Sequence, residues 1–513
     1  MRSTLNFEEF FSEQTSKRSF NIVGPCNIDK HYMVNIDEKL KKIIRLIQND
    51  SYFVINRPRQ FGKTTTLNQL VNILKSRYEV INIDFQVLGF IDNDEKDFCR
   101  KFISMMSKEL GYKLEKATNM LELSNVIQTI TSEKSVILVI DEVDKISNNT
   151  VFLDFLSMLR YLFIQRSVGK STAFKSVILS GVYDIKNLKL KFKNDLETRY
   201  NSPWNIAVDF NINMDFKTSD IACMLGEYVH DTNIKMNIND IAKVIYKFTN
   251  GYPYLVSLIC KIIDESDKYE WTVHGVNMAI KNILLVTNTL FDDLSKNISN
   301  NKELYKFFRE ILLEDKKVLF NFNIPIINLA SMFGYIKPDG NGYVTISNIM
   351  FSEVILNHMV ERVDTSEIDL LNEKSKYISV DNELSMDKVI EEFQRFMKKS
   401  YERGNHKFLE DDGRLLFSAF ITPIINGTGY FYREARTGDM RRMDLVVQYG
   451  KDRFIIELKR DIGYSTEKTL QQVQDYMLLE NTNIGYIITF TYGKRSAFIE
   501  HKKQEKVIKE YFI

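Results

Sequence analysis

Residues 51–78, SYFVINRPRQFGKTTTLNQLVNILKSRY, form the stretch that decides the fold of the first half of the chain. The run YFVI predicts a strand, and TTTLNQLVNILKS predicts a helix. Between them lies RPRQFGKTT, which fits a strand–loop–helix phosphate site. Gly62 would let the backbone approach the phosphates, Lys63 would reach their β and γ oxygens, and Thr64 would bind magnesium. The usual pattern GxxxxGK[ST] has a glycine where this chain has Arg57, so the match is incomplete.

A second run, KSVILVIDEVDK, supports the same interpretation. It is a continuous apolar stretch ending in Asp141 and Glu142, as expected of a buried parallel strand with acids at its carboxyl end. Asp141 would hold magnesium through water, and Glu142 would orient the attacking water. The alternative is an ordinary strand-to-helix cap. Ser180, at the end of a later strand, is either a polar sensor of the γ-phosphate or a simple turn serine.

Further strands are predicted at residues 80–85, 176–182 and 205–210. Because these strands alternate with helical stretches, the first half of the chain is predicted to form a parallel α/β sheet with its site at the carboxyl edge.

The composition indicates a globular protein of several domains. A chain of 513 residues with 44% apolar and 27% charged residues exceeds what one core supports. Lys plus Arg (69) nearly equals Asp plus Glu (68), so any basic surface must be local. The four cysteines and six histidines are dispersed, which argues against a disulfide framework or a zinc site. No apolar run approaches ~18 residues, and no signal peptide is visible, so we expect a cytoplasmic protein without a membrane segment.

The other informative stretch is RMDLVVQYGKDRFIIELK, residues 442–459. Two apolar runs flank the turn YGKD, so they are predicted to pair as a hairpin that brings Asp444 alongside Glu457. Strand alternation puts Glu457 and Lys459 on one face and Leu458 in the core. Two carboxylates and an ammonium group at one sheet edge can hold a hard divalent cation and polarise a water molecule.

The first part of the chain resembles the AAA-ATPase-like family of bacterial proteins, a branch of the P-loop ATPases. The resemblance covers residues 15–360 and rests on GPCNIDKHYMV, RPRQFGKTT, VILVIDEVDK, SGVYDIKN and NSPWNIA. An arginine-proline-arginine version of the loop is usual in that family, so the missing glycine has a precedent there. The resemblance implies ATP binding with slow hydrolysis. The residues assigned to the nucleotide, its magnesium and the attacking water are Arg59, Gly62, Lys63, Thr64, Thr65, Asp141, Glu142 and Ser180.

Residues 390–513 resemble the PD-(D/E)xK nuclease superfamily. Their predicted order of helix, three strands, helix and strand matches, and so does Asp444 followed thirteen residues later by Glu457 and Lys459. A methionine precedes Asp444 where the motif has proline, which is a common departure. The alternative is a degenerate fold in which Glu457 and Lys459 form an inert ion pair.

This second resemblance implies a metal site made of carboxylates beside a lysine. The predicted ligands of one or two Mg²⁺ ions, with Mn²⁺ as an alternative, are Asp444, Glu457 and Glu410, and Glu434 is an alternative to Glu410. Lys459 would position or deprotonate the attacking water. Gln472 and Tyr476 form a QxxxY pattern, one turn apart on the next predicted helix, and Gln472 would orient the phosphate or the lysine.

The regions between these motifs are predicted to be mostly helical. Residues 301–363 give the helix–helix–hairpin outline of a winged helix, which either lies on DNA or only packs between domains. The basic run KNLKLKFKND (186–195) is either a backbone-binding surface or a solvated helix face. Arg160 and Arg199 are candidates for an arginine finger, and each could equally be a surface arginine. The predicted domains are a P-loop ATPase core (1–215), a helical lid (216–295), a winged-helix-like module (296–363), a linker (364–386) and a PD-(D/E)xK nuclease-like domain (387–513).

The whole pattern predicts an α/β ATPase that controls a metal-dependent nuclease, with a role in defence against phage or mobile DNA. The expected partner is nucleic acid, DNA in preference to RNA, and an ATP-dependent homo-oligomer is compatible with this class. Two alternatives remain open from the sequence. One is a STAND-like signalling or scaffold protein whose C-terminal domain binds nucleic acid without cutting it. The other is a mobile-element helper that resembles a transposase.

Overall fold

A computed structural model describes most of the chain. The described residues are 18–88, 94–145, 150–182, 204–286, 288–312, 316–360, 376–379, 381, 383–401, 408–425, 429–432, 445–460, 466–491, 497–503 and 506–513. At some helix and strand positions, Glu410 among them, only the backbone is described. None of the helices in these ranges combines the length and the hydropathy that a membrane crossing needs.

The chain divides into two compact units. The first comprises Met1–Tyr246, Gly251–Val276 and Met332–Gly334, and the second comprises Lys247–Asn250, Asn277–Ser331 and Tyr335–Ile513. Each unit has its own sheet and its own hydrophobic core.

The first unit is built on a four-stranded parallel sheet. Its strands are β1 (Phe53–Asn56), β2 (Glu79–Asp84), β3 (Val136–Asp141) and β4 (Ser176–Gly181), in the spatial order β1-β4-β3-β2. Every residue of the two central strands, β3 and β4, is buried, which accounts for their continuous apolar runs. The parallel α/β sheet predicted from the sequence is confirmed.

Helices follow these strands in the order that the sequence predicts. Those of residues 37–285 are α1 (Asp37–Gln48), α2 (Lys63–Leu74), α3 (Glu95–Leu110), α4 (Met120–Glu133), α5 (Thr150–Ser167), α6 (Thr218–Thr232), α7 (Ile238–Thr249), α8 (Pro253–Asp264) and α9 (Val273–Leu285). Phe98 and Phe102 of α3 pack on Phe155 of α5 with ring centroids 5.3 and 4.8 Å apart, so these aromatic rings fill one side of the core.

The strand predicted at residues 205–210 is wrong in extent. Only Val208 joins the sheet, through a single parallel bridge to Phe53. The carbonyl of Phe210 accepts a hydrogen bond from the guanidinium of Arg57 at 3.1 Å. This carbonyl therefore bonds a side chain, whereas in a strand it would bond the backbone of the neighbouring strand. This competing bond explains why apolar alternation did not produce a strand here.

The second unit begins with helices and a short hairpin. Its elements in residues 289–360 are α10 (Thr289–Asn300), α11 (Lys302–Leu312), α12 (Pro325–Met332), β5 (Ile336–Pro338), β6 (Val344–Ile346) and α13 (Ile349–Val360). β5 and β6 pair in antiparallel fashion. The hairpin therefore forms where the sequence PDGNGY predicts it.

The C-terminal part of the second unit is a six-stranded mixed sheet with helices. Its elements are α14 (Met386–Tyr401), α15 (Phe408–Ile425), β7 (Gly429–Tyr432), β8 (Leu445–Tyr449), β9 (Asp452–Arg460), α16 (Thr466–Leu479), β10 (Ile484–Phe490), β11 (Ala497–Lys503) and β12 (Lys506–Phe512). The spatial order is β11-β12-β10-β9-β8-β7. The β8–β9 hairpin has the predicted form. The sequence analysis missed β11 and β12, because their alternation is masked by seven charged side chains in FIEHKKQEKVIKEYF.

Helix α16 covers the face of this sheet on which Glu457 and Lys459 of β9 and Thr489 of β10 lie. Gly485 of β10 permits the close approach, since a Cβ at that position would lie 2.6 Å from Cγ1 of Val473 and 2.9 Å from the sulfur of Met477. A larger residue at 485 would push the helix away from the sheet.

Candidate functional site

The loop that the sequence predicts to bind phosphate joins β1 to α2 in the first unit. Gly62 has φ +76° at the start of α2, a conformation that favours glycine. Nζ of Lys63 donates to the backbone carbonyls of Arg57 (3.0 Å) and Pro58 (2.9 Å), so the ammonium lies inside the curve of the loop. Burial lowers the pKa of Lys63, and the nearby carboxylates of Glu142 and Asp141 oppose this effect.

The acids at the end of β3 lie against this loop. Oγ1 of Thr64 donates to Oδ2 of Asp141 at 2.8 Å, and the backbone amide of Glu142 donates to Oδ1 of Asp141 at 2.9 Å. Glu142 has φ +55°, and burial together with the charge of Asp141 raises its pKa. A hydroxyl and a carboxylate held together are oxygen ligands of the kind that Mg²⁺ prefers, so these residues fit a magnesium ion.

A cavity of about 670 Å³ opens beside the loop, within the size range of small-molecule sites. Arg59, Gly62, Lys63, Thr64, Thr65 and Glu142 all contribute to its lining. The segment before α1 closes one side, where the amide of Cys26 donates to Oγ1 of Thr65 at 3.0 Å. The start of α8 lines another side through Pro253, Tyr254 and Ser257. The hydroxyl of Tyr252, just before this helix, donates to the carbonyl of Arg59 at 2.7 Å.

Asp144 is a cavity residue that the sequence analysis missed. Its Oδ2 accepts a hydrogen bond from the backbone amide of Val182 at 2.5 Å, so it ties the end of β4 to the turn after β3. Gly181 leaves room for this carboxylate, since a Cβ there would lie 2.7 Å from Oδ1 of Asp144. The third acid of the run DEVD was the available signal.

Two other predicted groups lie apart from this cavity. Ser180 is fully buried in the ladder opposite Ile55. The described residue near it that lines the cavity is Val182, which directly follows β4. Arg160 lies in α5, and Nε of its side chain is buried without a hydrogen-bond partner in the described part of the chain. Arg199 and the basic run 186–195 lie outside the described residues.

The arginine that replaces the usual loop glycine has a structural role. Nη2 of Arg57 donates to the carbonyls of Phe210 (3.1 Å) and Ile212 (2.8 Å), and its guanidinium lies 5.1 Å from the centre of the Phe210 ring. Its own amide donates to the carbonyl of Gly181 at 3.2 Å. Arg57 therefore joins the loop to β4 and to the segment after it.

We expect that Arg57→Gly, which restores the usual glycine, destabilises the first unit by about 2–4 kcal/mol, because two backbone carbonyls lose a charged donor. Urea unfolding followed by tryptophan fluorescence measures this, since Trp204 and Trp271 both lie in the first unit. Arg45→Ala removes an exposed arginine as the matched control, and its expected change is within about 0.5 kcal/mol. An Arg57→Gly protein with the wild-type midpoint would show that these contacts contribute nothing.

The second candidate site lies on β9 in the C-terminal sheet. Glu457 is 1% exposed, and its Oε1 accepts a hydrogen bond from Nε2 of Gln472 on α16 at 2.9 Å. The same oxygen is ion-paired with Nζ of Lys459, whose side chain is 25% exposed. Tyr476, one turn after Gln472, is also buried. The helix therefore holds the carboxylate while the lysine reaches toward solvent.

The other predicted acids of this site are outside what the structure describes. Asp444 and Glu434 fall in an undescribed range, and the side chain of Glu410 is undescribed although its backbone belongs to α15. The β8–β9 ladder is described up to Leu445, which pairs with Ile456. Within the described residues no group of three or more His, Cys, Asp or Glu side chains is placed to hold a metal ion. The carboxylate of Glu457, oriented by an amide, is nonetheless a hard oxygen donor that fits Mg²⁺.

The fold and these two sites define a P-loop ATPase joined to a nuclease-superfamily domain. Residues 23–353 match the model of the AAA-like domain, and the chain belongs to that family. Residues 428–501 match the PD-(D/E)XK nuclease superfamily. Both resemblances predicted from the sequence are confirmed.

The chain is also similar, at low identity, to several solved structures. A Walker-type ATPase of Pyrococcus abyssi is 12% identical and has a TM-score of 0.45, with 66% of this chain and 99% of that chain covered. The ORC2 protein of Aeropyrum pernix is 9% identical with a TM-score of 0.38, covering 68% and 98%. RuvB of Thermotoga maritima, a Holliday junction branch migration motor, is 11% identical with a TM-score of 0.31, covering 63% and 96%. Comparison with curated proteins gives no match.

Proposed function

We propose that this protein binds and hydrolyses ATP in its first unit and thereby controls a Mg²⁺-dependent nuclease in its C-terminal domain. The observation that carries the nuclease assignment is the arrangement around Glu457, a buried carboxylate paired with Lys459 and held by Gln472. The match of residues 428–501 to a nuclease superfamily supports the same reading.

The residues of the chain would divide the nuclease work as follows. Glu457, with Asp444 and Glu410 as the proposed further acids, would supply oxygen ligands to one or two Mg²⁺ ions. Lys459 would position the attacking water or, after its ammonium group has given up its own proton, accept a proton from it, and Gln472 would keep the carboxylate in its binding orientation. When bound, the metal stabilises negative charge on the phosphoryl oxygens and lowers the pKa of a bound water.

In the ATPase unit, the loop between β1 and α2 and the acids of β3 would together bind the nucleotide and its Mg²⁺. Lys63 would leave the loop carbonyls and donate to the phosphates, and Thr65 and Arg59 would lie along them. Thr64 and Asp141 would bind the associated Mg²⁺. Glu142 would orient the attacking water, since it lies in the cavity beside the loop. Hydrolysis of a phosphodiester needs no ATP, so the nucleotide would act on the nuclease as a switch, an assembly clamp or a motor.

The proposed substrate is nucleic acid, with DNA favoured over RNA, and the proposed biological role is defence against phage or mobile DNA. A nuclease under nucleotide control suits a role in which cutting must stay off until it is needed. ATP-dependent self-assembly is the proposed route of that control.

We expect ATP to change both the mass of the particle and the rate of cleavage. Light scattering gives the mass, and a supercoiled plasmid and labelled oligonucleotides of DNA and RNA report cleavage, each with and without ATP and with Mg²⁺ or Mn²⁺. Nicking that depends on the metal and responds to ATP is the expected result. Binding that survives chelation, with no cleavage under any condition, would favour a scaffold protein and contradict the nuclease assignment.

A further inference from the structure

Three successive carbonyl groups at the start of the loop between β1 and α2 accept side-chain hydrogen bonds. Those of Arg57 and Pro58 accept from Nζ of Lys63 at 3.0 and 2.9 Å, and that of Arg59 accepts from the hydroxyl of Tyr252 at 2.7 Å. The first two bonds use an ammonium that the phosphates of a nucleotide would take. The bond from Tyr252 uses no such group, so of these three bonds it is the one that persists when a nucleotide binds.

The residue that follows the Arg59 carbonyl has an unusual backbone conformation. Gln60 has φ +55°, in the left-handed region that side chains other than glycine rarely adopt. On its other side, the ring of Phe61 meets the ring of Tyr252 edge to face, with centroids 4.9 Å apart. A single tyrosine therefore contacts the residue before Gln60 and the residue after it.

The bond to Arg59 also fixes the direction of a backbone amide. The peptide between Arg59 and Gln60 is trans, so the N–H of Gln60 points in the direction opposite to the carbonyl of Arg59. Backbone amides in a loop before a helix are the groups that bind phosphate oxygens, and both residues line the cavity. Tyr252 thus sets the orientation of a peptide group at the edge of the nucleotide cavity.

Tyr252 is itself held firmly. It is 2% exposed, and its carbonyl accepts a hydrogen bond from the amide of Val256 in the first turn of α8 at 3.1 Å. The carbonyl of Gly251 accepts from the amide of Phe216 at 2.9 Å, and a Cβ at Gly251 would lie 1.9 Å from the carbonyl oxygen of Phe216. The tyrosine is therefore anchored on both sides along the chain.

Gly334 packs against the same part of the loop. It has φ +76°, and a Cβ at this position would lie 2.4 Å from Cγ of Pro58 and 3.7 Å from Cε2 of Tyr252. Because no side chain separates them, the proline and the tyrosine ring both pack against the backbone of Gly334. This packing limits how far the loop can shift relative to the tyrosine.

We infer that Tyr252 is a positioning residue for ATP: its hydrogen bond to the carbonyl of Arg59 keeps Gln60 left-handed and the loop amides in the orientation that binds the phosphates. This inference rests on the proposed ATP binding of the first unit. Tyr252 acts through the loop and need not touch the nucleotide. A loop that holds its binding conformation before the nucleotide arrives binds more tightly, because binding does not have to reorganise it.

The test measures binding of a fluorescent ATP analogue with Mg²⁺ to the full-length protein. Tyr252→Phe keeps the ring that packs on Phe61 and removes only the hydroxyl, so the fold should survive. Its affinity should fall about tenfold, because the binding-competent loop is then a minor conformation of the free protein. In ATP hydrolysis, KM should rise by the same factor and kcat should stay unchanged, since the loop has its normal conformation once the nucleotide is bound.

A second substitution tests whether the effect passes through Gln60. Glycine adopts the left-handed conformation without a steric penalty, so Gln60→Gly makes the loop less dependent on the tyrosine. In the Gln60→Gly protein, adding Tyr252→Phe should reduce affinity by less than about threefold. A purely structural role of the hydroxyl predicts the same loss in both backgrounds.

Tyr52→Phe is the matched control. Tyr52 is 1% exposed, belongs to the same unit, and its hydroxyl also donates to a backbone carbonyl, that of Phe174, at 3.0 Å. Its loss should lower the urea midpoint about as much as Tyr252→Phe does, because each variant loses one buried hydrogen bond. The affinity of Tyr52→Phe for the ATP analogue should stay within about twofold of wild type.

The outcomes separate this inference from the proposed function. Wild-type affinity in Tyr252→Phe overturns the inference and leaves ATP binding standing. Equal losses of affinity in Tyr252→Phe and Tyr52→Phe also overturn it, since they indicate general destabilisation, and so does an undiminished tenfold loss in the Gln60→Gly background. A wild-type protein that does not bind the ATP analogue contradicts the proposed function itself.

Discussion

Glu457→Gln is expected to abolish metal-dependent cleavage, with a loss of at least about a hundredfold in rate, and to leave ATP binding intact. The substitution keeps the shape of the side chain and its contact with Gln472 but removes the charge that would bind the metal. Lys459 is 25% exposed, so its ammonium can be solvated after the loss of its partner, and the fold should survive. Cleavage of a labelled duplex under Mg²⁺ and binding of a fluorescent ATP analogue measure the two effects.

Glu467→Gln is the control for this experiment. Glu467 is an exposed carboxylate in the first turn of α16, the same helix that carries Gln472, and its loss should change cleavage less than about twofold. Cleavage by Glu457→Gln at the wild-type rate would place the nuclease site elsewhere.

Cells that express Glu457→Gln should also lose any protection against phage that the wild-type protein confers, which tests the proposed defence role separately.

Lys63→Met is expected to weaken ATP binding by about a hundredfold, since it removes the ammonium that would donate to the phosphates. Its effect on the stability of the nucleotide-free protein should be small, because two contributions oppose each other. Burial lowers the pKa of Lys63 in the folded protein, so the charged form is disfavoured relative to the unfolded chain at neutral pH. This cost is fully present at any pH below the lowered pKa and disappears as the pH rises through the ordinary lysine range. Removing the ammonium removes this cost, but it also leaves the carbonyls of Arg57 and Pro58 without their charged donor, so the two effects on stability oppose each other.

The measurement is thermal unfolding followed by tryptophan fluorescence, with and without Mg·ATP. Wild-type protein should unfold at a higher temperature with saturating ATP, whereas Lys63→Met should show no such shift. Lys75→Ala, at the exposed end of α2, is the control and should keep the ATP shift. A full ATP shift in Lys63→Met would contradict the proposed role of the loop.

Much of the site could be predicted because it is encoded locally. The strand–loop–helix around Gly62 and the acids that end β3 are short sequence features, and the carboxyl ends of parallel strands necessarily meet at one edge. The hairpin of β8 and β9 follows from two apolar runs around a four-residue turn. Glu457 and Lys459 share a face for the same reason of alternation.

Contacts between distant residues could not be predicted in this way. The bond from Tyr252 to the carbonyl of Arg59 and the bond from Asp144 to the amide of Val182 join residues 193 and 38 positions apart. The missed strands β11 and β12 belong to the same category, since β11 is the edge strand of the sheet and the buried Glu510 of β12 is bound by Thr489 and His501 of its two neighbouring strands.

The sequence by itself determined the class of each domain and the chemistry of its main groups, because periodicity and motif spacing depend on neighbours in the chain. Tertiary structure alone decided how those groups are held. It shows that Arg57 replaces a glycine because its guanidinium binds the carbonyls of Phe210 and Ile212. It also shows that Gln472 lies on Glu457, fifteen residues away, and that Glu510 is hydrogen-bonded to His501. Each of these contacts depends on which surfaces meet when helices and strands pack, and packing is a property of the whole fold.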